Sequence, residues 1–245
     1  MTHPKMEVVC VGCGPGDPEL ITVKATNYLK NADIIFAPTA REGKPSIALS
    51  IVQKYLAASV EIVDLIFPMV KDRGRTEEYW KRNADQIVGA AKSGKRVVYL
   101  TVGDPSLYST WIYIQREIAS RNVGIRFNIV PGIPSIFAFA AHAKIGLAEG
   151  DETLGIIPAC YDIDKIKRTA SSCDTLVFLK DGRYFGNIVK MLGDAGFVDE
   201  SVITIAQDIS AGEEILKQHS LKELRCSGET TEKYFSLMVV KRQNG

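Results

Sequence analysis

The sequence predicts a globular α/β protein. One observation supports the α/β class, and two support the globular character. Short apolar runs alternate with amphipathic stretches through the first 150 residues, which is the pattern of parallel βαβ units. The chain has 245 residues, which is long enough to bury a substantial core. Its composition, with 46% hydrophobic and 24% charged residues, is that of an ordinary globular protein.

Charge and hydropathy restrict the possible partners. Thirty Lys and Arg residues against 29 Asp and Glu residues leave a net charge of +1, so no overall field attracts nucleic acid or an anionic membrane. The most apolar stretch, residues 135–148, is interrupted by His142 and Lys144 and is shorter than the roughly 20 residues that a bilayer requires. The five cysteines are widely spaced and odd in number, which favours a reducing compartment. We therefore expect a cytoplasmic protein with no nucleic-acid or membrane partner.

Local patterns predict each element of the first half. Residues 6–12 form a valine-rich apolar run that is typical of a buried strand, and in the turn that follows Asp17 and Pro18 predict the start of a helix. Apolar residues at helical spacing predict helices over 46–56 and 76–91, with another helix after the fourth strand. Further strands are predicted at 33–37, 61–65, 96–102 and 126–130, and an apolar helix from Pro134 to about Lys144.

A polar segment at residues 149–152 predicts a boundary between two domains, 1–148 and 149–245. In the second domain, strands are predicted at 153–158, 174–179, 201–206 and 234–240, with shorter helices between them. Residues 213–218 are predicted to pair directly with a neighbouring strand. We therefore expect a mostly parallel sheet in the first domain and a mixed sheet in the second.

Gly-Asp-Pro turns occur twice, at residues 16–18 and 103–105, and each follows a predicted strand. In parallel sheets, ligands bind beyond the carboxyl ends of the strands. Glycine allows main-chain groups to approach a ligand closely, which suits a neutral or zwitterionic ligand. Simple helix capping by Asp17 and Asp104 explains the same spacing equally well.

Other motifs in the sequence do not meet the requirements of the binding sites that they suggest. In Gly12-x-Gly14-x-Gly16 the third glycine comes one position too early for a dinucleotide fingerprint, and the second strand ends without an acidic residue. Residues 89–96 nearly match a phosphate-binding P-loop but precede a strand instead of following one. Cys10 is interpreted as a small buried residue and Cys13 as a turn residue, not as a redox pair. The three histidines match no metal spacing, so we expect no protein-bound metal.

Three ordered motifs resemble those of the tetrapyrrole methylases, S-adenosylmethionine-dependent enzymes of cobalamin and siroheme synthesis. They are VGCGPGDPELIT at 11–22, LTVGDPSLYST at 100–110 and VPGIPS at 130–135. The resemblance covers essentially the whole chain. It implies two αβα domains, S-adenosylmethionine as methyl donor bound in the cleft between them, and usually a homodimer.

Within the family, residues 103–110 and 147–153 are most similar to enzymes that methylate the C20 meso carbon of precorrin-2 or cobalt-factor II in cobalamin biosynthesis, giving precorrin-3A or cobalt-factor III. Methylation at C11, at C17 or at C2 and C7 of uroporphyrinogen III is the alternative, followed by a non-catalytic tetrapyrrole-binding protein. Siroheme-forming relatives carry an aspartate near the end of the second strand, where this chain has Ala37 or Pro38. This difference argues against the C2 and C7 reaction.

The resemblance also implies site residues. Gly103, Asp104 and Pro105 would hold the cofactor mainly through backbone groups, and Leu179 would pack on its adenine or methionine part. Expected cofactor contacts are Pro15, Gly103, Asp104, Pro105, Tyr108, Ser109, Pro134, Ser135, Leu179, Ala206 and Asp208.

Two further groups of residues follow from the expected chemistry. Asp104, Tyr108 and Tyr113 are candidates to carry away a proton that leaves the methylated carbon, and the general base stays unassigned. The anionic tetrapyrrole needs a local cluster of cations, since the whole protein is nearly neutral. Candidates are Arg41, Lys44, Lys71, Arg73 and Arg75, because arginine suits bidentate contacts with carboxylates.

Overall fold

The structure is a computed structural model that describes residues 6–68, 73–158, 162–179, 185–207, 215–227 and 236–242. The chain divides into two compact units, Met1–Ser135 and Ile136–Gly245. The boundary predicted at residues 148 and 149 stays a prediction.

The first unit contains a five-stranded sheet in which every neighbouring pair of strands is parallel. The order is β3-β2-β4-β1-β5, so the strands that precede the glycine-rich turns, β1 and β4, are neighbours at its centre. The strands are β1 (Glu7–Gly12), β2 (Ile34–Thr39), β3 (Glu61–Ile66), β4 (Val97–Thr101) and β5 (Arg126–Val130). All five strands predicted for this half are confirmed.

Helices cover both faces of this sheet. On one face α3 and α4 bury apolar residues such as Ile87 and Trp111 against the strands, and on the other face α1 and α2 bury Leu29 and Ile51. Both faces of the central strands are therefore covered by apolar side chains, as is typical of parallel sheets. The helices are α1 (Val23–Lys30), α2 (Ile47–Val52), α3 (Arg73–Lys92) and α4 (Trp111–Ser120).

Asp17 and Pro18 form the predicted cap, but the element that begins there is a short turn and not the predicted helix. Asp17 accepts a hydrogen bond from the Glu19 backbone N–H, and Pro18 opens a short 3₁₀ turn that ends at Leu20. The Tyr55 hydroxyl donates to the Pro18 carbonyl at 2.8 Å, which engages an acceptor that a continuing helix would use. The α-helix α1 begins only at Val23, with Thr22 as its cap.

The second unit contains a mixed sheet of order β6-β7-β10-β8-β9. Only β6 and β7 are parallel, and the other pairs are antiparallel. The strands are β6 (Leu154–Pro158), β7 (Thr175–Leu179), β8 (Val202–Gln207), β9 (Ile215–Ser220) and β10 (Ser236–Lys241). The mixed sheet and the direct pairing of the segment near residue 215 are thus confirmed.

Helices α6, α7 and α8 pack on one face of the second sheet, where Phe178, Ile188 and Met238 belong to one buried cluster. The helices of this unit are α5 (Ser135–Ala143), α6 (Ile163–Ala170), α7 (Phe185–Asp194) and α8 (Leu221–Ser227), the first of which begins one residue before the division. Across the residues that the structure describes, no helix combines the length and the apolar character needed to cross a membrane.

Candidate active site

The two glycine-rich turns are bonded directly to each other at the carboxyl ends of β1 and β4. The Cys13 N–H donates to the Thr101 carbonyl at 2.8 Å and continues the parallel ladder for one residue. Gly14 and Gly103 then form an isolated antiparallel bridge, in which the Gly103 N–H donates to the Gly14 carbonyl at 2.7 Å. Both glycines have positive φ angles, +81° and +70°, which side chains rarely adopt. The two motifs that are far apart in the sequence therefore form one structure.

A third turn, after β5, packs against the first two through glycine. A Cβ atom added to Gly132 would lie 2.3 Å from the Gly103 carbonyl oxygen and 2.7 Å from the Gly12 carbonyl carbon. A Cβ atom on Gly12 would lie 2.5 Å from the Gly132 nitrogen. These distances leave no room for any side chain, so three main chains meet where Gly12, Gly103 and Gly132 lie. The sequence motifs contain Gly12 and Gly132, but no role was predicted for either; a glycine at or within two residues of a strand end was the available signal.

Asp104 ties the second turn to the third. One carboxylate oxygen accepts hydrogen bonds from the Ser106 N–H at 2.8 Å and from its hydroxyl, and the other accepts from the Gly132 N–H at 2.9 Å. Partial desolvation opposes ionisation, but the hydrogen bonds from Ser106 and Gly132 outweigh it and hold the pKa of Asp104 below its usual value. Asp104 is therefore a charged residue that joins two turns as well as capping its own.

Ser109 is buried, and its hydroxyl is used within the protein. The Ser109 Oγ atom lies 2.9 Å from Thr101 Oγ1 and accepts from the Trp111 N–H at the start of α4. Thr101 ends β4, so this hydroxyl pair connects the strand with the helix that follows the turn. The contact with the cofactor predicted for Ser109 stays a prediction, and its side chain already has these internal partners.

Apolar surface surrounds the bonded turns. Tyr108 is 48% exposed and has a φ angle of +51°, a backbone conformation that costs energy for a residue other than glycine. Val102, which our sequence analysis did not single out, is 40% exposed directly after β4. Pro15, Pro134 and Ser135 are half-buried, and the Cα atom of Pro134 would lie 3.7 Å from a Cβ atom on Gly103. Pro105, the last of the second-turn candidates, is buried. Exposed apolar groups beside constrained turns suit an organic ligand.

The predicted cofactor residues of the second unit lie on one row of its sheet. Leu237 of β10 is paired with Leu179 of β7 on one side and with Ala206 of β8 on the other. Residues directly opposite each other in neighbouring strands share a face, so the three side chains project together. Leu237 is thus a candidate that the sequence did not indicate. Asp208 lies outside the described residues.

The candidate cations lie on two segments. Arg41 and Lys44 are exposed on the loop after β2, and within the described part of the chain neither forms an ion pair. Arg73 is the first residue of α3, Arg75 is exposed in its first turn, and Lys71 lies outside the described residues. Ala37, at the position compared with the aspartate of siroheme-forming relatives, is fully buried in β2.

Two of the candidate proton carriers have different surroundings from Asp104. Partial burial raises the pKa of the Tyr108 phenol, which keeps it protonated at neutral pH. The Tyr113 ring lies on α4 and stacks on Trp80 of α3, with the ring centroids 4.2 Å apart. Asp104, whose hydrogen-bond partners are Ser106 and Gly132, takes no part in this stacking.

The opposite end of the first sheet contains a cavity of about 380 Å³, lined among others by Glu7, Asn27 and Arg96. We do not assign it as the active site, because ligands of parallel α/β sheets bind at the carboxyl ends of the strands.

Near the glycine-rich turns, burial raises the pKa of Cys10 well above its usual value and that of Cys13 to about 12, so both thiols stay protonated. No group of three or more potential metal ligands occurs among the residues described.

Sequence comparison connects this arrangement with known proteins. A sequence profile described as "Tetrapyrrole (Corrin/Porphyrin) Methylases" matches residues 7–225. The chain is 35% identical to a probable cobalt-precorrin-2 C(20)-methyltransferase of Methanocaldococcus jannaschii, over 96% of each chain. It is 33% identical to the cobalt-precorrin-2 C(20)-methyltransferase of Salmonella typhimurium, over 97% of each.

Solved structures share the fold. A cobalt precorrin-4 methyltransferase superposes with a TM-score of 0.75 at 21% identity, covering 97% of this chain and 95% of that one. A uroporphyrin-III C-methyltransferase of Thermus thermophilus, complexed with S-adenosylhomocysteine, superposes with a TM-score of 0.68 at 21% identity, covering 96% and 97%. At this identity the similarity concerns the fold alone.

Proposed function

The chain belongs to the tetrapyrrole (corrin/porphyrin) methylase family, and on this premise we propose that it methylates the C20 meso carbon of a precorrin-2-type tetrapyrrole in cobalamin biosynthesis. The observation that carries the proposal is the near-complete alignment with two relatives that are named for this reaction. Both names specify the cobalt-containing substrate, so we propose that this chain prefers it too.

The glycine-rich turns support S-adenosylmethionine as the methyl donor. Gly12, Gly103 and Gly132 bring three main chains together beyond the carboxyl ends of β1, β4 and β5, where a ligand can be held by backbone groups. Tyr108 and Val102 add exposed apolar surface beside these turns. When bound, S-adenosylmethionine supplies a methyl group on a positively charged sulfur. Leu179, Leu237 and Ala206 are proposed as additional apolar contacts.

The protein's main contribution to this reaction is positioning. The attacking carbon is part of an electron-rich macrocycle, so no nucleophilic side chain has to be activated. Holding reactants in line can lower a barrier by about 7–11 kcal/mol. The bonds that join Gly14 with Gly103 and Asp104 with Gly132 give the turns the rigidity that such positioning requires.

The surroundings of the candidate proton carriers favour a structural role for Asp104. Both of its oxygens already accept hydrogen bonds, and its pKa is lowered, which makes it a weak base. Tyr108 stays a protonated phenol that can donate a hydrogen bond. We propose that Arg41 and Lys44, with Arg73 and Arg75, bind the carboxylates of the macrocycle. The homodimer rests on the family resemblance and the cytoplasmic location on the cysteine pattern and the hydropathy, and both stay predictions.

A single incubation tests the proposed function. Purified protein is mixed with methyl-labelled S-adenosylmethionine and with sirohydrochlorin, either with or without cobalt, and the product is analysed by mass spectrometry and NMR. We expect one label per macrocycle, located at C20, with faster turnover of the cobalt form. A label at another carbon would reassign the position within the family, and binding without any transfer would favour a tetrapyrrole-binding protein.

A further inference from the structure

Thr39, the last residue of β2, is a buried polar residue that no sequence motif indicated. It is 7% exposed, and its hydroxyl lies 2.7 Å from the Lys44 carbonyl oxygen and 3.2 Å from the Arg41 carbonyl oxygen. Its own carbonyl accepts a hydrogen bond from the Phe67 N–H at 2.8 Å, just after β3. Thr39 therefore contacts both the loop after β2, which carries Arg41 and Lys44, and Phe67, the residue that follows β3.

The loop held by Thr39 is short and sharply turned. The Lys44 N–H donates to the Arg41 carbonyl at 3.2 Å, and Gly43 has a φ angle of +71°, which closes the turn. Arg41, Gly43 and Lys44 are all exposed. Among the described contacts of this turn, the Thr39 hydroxyl is the only side-chain group that bonds to it, and it contacts the carbonyls of both cationic residues.

We propose that Thr39 is a positioning residue for substrate recognition, because its hydroxyl fixes the turn from which Arg41 and Lys44 meet the carboxylates of the macrocycle. The inference rests on the proposed function, since it takes the anionic tetrapyrrole as the ligand. Fixing the backbone of both cations before binding reduces the conformational entropy that is lost when the substrate is held. Without the hydroxyl, the same two charges remain but their positions vary.

A purely structural role for Thr39 gives a different result. A buried hydroxyl at a strand end contributes to stability wherever it lies, and its loss would then affect both substrates or neither. A positioning role raises the KM for the tetrapyrrole and leaves the KM for S-adenosylmethionine unchanged. It also requires Arg41 and Lys44 to be present.

The experiment compares Thr39→Val, which keeps the side-chain shape and removes the hydroxyl, with Thr39→Ser, which keeps the hydroxyl. Each substrate is varied while the other is saturating. We expect Thr39→Val to raise the KM for the tetrapyrrole about fivefold, the effect of one lost hydrogen bond, with kcat and the KM for S-adenosylmethionine within about twofold of wild type. Thr39→Ser should restore the wild-type values. Thr26→Val, which removes a hydroxyl bonded to the Val23 carbonyl in α1, is the matched control and should change neither KM.

A charge-neutral background tests the connection with the cations. In Arg41→Gln/Lys44→Gln, the KM for the tetrapyrrole should rise, and adding Thr39→Val should raise it no further. If Thr39→Val fails to fold, Gly43→Val strains the same exposed turn and should give the same pattern. An unchanged KM for the tetrapyrrole, a rise for both substrates, or a rise that persists in the charge-neutral background overturns the inference.

The wild-type protein separates this outcome from failure of the proposed function. If wild type methylates C20 but Thr39→Val behaves like Thr26→Val, only the role of Thr39 is wrong. If wild type transfers no methyl group to the macrocycle, the proposed function itself fails.

Discussion

At the carboxyl ends of β1, β4 and β5, main-chain atoms of three turns meet so closely that Gly12 and Gly132 have no space for a side chain, and Gly103 has a positive φ angle that side chains rarely adopt. At the amino ends of the same sheet, side chains connect the strands instead. Asp33 forms paired hydrogen bonds with the Arg96 guanidinium before β2 and β4, and Glu61 pairs with Lys95. These ion pairs are partly exposed to solvent, where each contributes little. Close backbone packing is thus concentrated at the end where the candidate active site lies.

Among variants at the two ends of the sheet, Gly132→Ala at the carboxyl end should have the largest effect on stability and cofactor affinity. The new methyl group would overlap the Gly103 carbonyl and the Gly12 backbone, and overpacking of this kind costs about 3 kcal/mol. We expect this loss of stability in denaturant titrations, together with at least tenfold weaker binding of S-adenosylmethionine in calorimetry. Gly89→Ala is the control, because Gly89 lies in α3 with no atom near its Cβ position, and it should stabilise the protein by about 0.5–1 kcal/mol. Wild-type stability and affinity in Gly132→Ala would show that the three turns are not closely packed.

Asp104→Asn should have an intermediate effect, confined to the carboxyl end. The amide keeps one acceptor oxygen but cannot accept from both Ser106 and Gly132, so the third turn loses its tie. The loss of a hydrogen bond to a charged group weakens binding about tenfold, with a smaller change in kcat. Calorimetry with both S-adenosylmethionine and its product S-adenosylhomocysteine, whose sulfur is uncharged, distinguishes the two possible causes of weaker binding. Equal losses indicate positioning, whereas a loss restricted to the charged sulfonium would indicate direct electrostatic attraction.

Asp33→Asn, at the amino end, should have the smallest effect and none on cofactor affinity. The hydrogen bonds from Arg96 lower the pKa of Asp33 to about 2, below its value in the unfolded chain. A lowered pKa gives stability that is present above the unfolded pKa, near 4, and is lost as the pH falls through about 2. The difference in Tm between wild type and Asp33→Asn should therefore be constant near pH 6 and vanish toward pH 2. A difference that grows in acid would contradict this assignment.

Local patterns predicted most of the fold, because valine-rich strands and amphipathic helices depend on neighbouring residues. They could not predict contacts between distant parts of the chain. Helix capping was one of the alternatives that the sequence left open for Asp104, whereas its bond to Gly132 depends on the order of strands in the sheet. Arg242 gives a clearer case, since its guanidinium donates to the carbonyls of Ala170, Cys173, Ala195 and Gly196 and stacks on Phe197. Nothing near Arg242 in the sequence indicates those partners.

The site residues likewise include some that local patterns indicated and others that only contacts between distant parts of the chain indicate. The glycine-rich turns were visible as motifs, whereas Thr39 and Leu237 gain their importance only from the neighbours that the sheet gives them. A threonine at a strand end and a leucine within a strand are too common to be singled out in one sequence. The roles predicted for Tyr108 and Tyr113 stay predictions, and the Arg41→Gln/Lys44→Gln variant tests the role predicted for those two cations.

The buried thiol of Cys13 allows opening of the candidate site to be followed by chemical labelling. Its N–H is bonded to the Thr101 carbonyl where the glycine-rich turns join, and its pKa of about 12 leaves almost no reactive thiolate while the turns are closed. In a variant that retains Cys13 alone, alkylation can proceed only when this part of the sheet opens. The alkylation rate then reports the frequency of opening, and a ligand that binds the closed turns slows it in proportion to its occupancy.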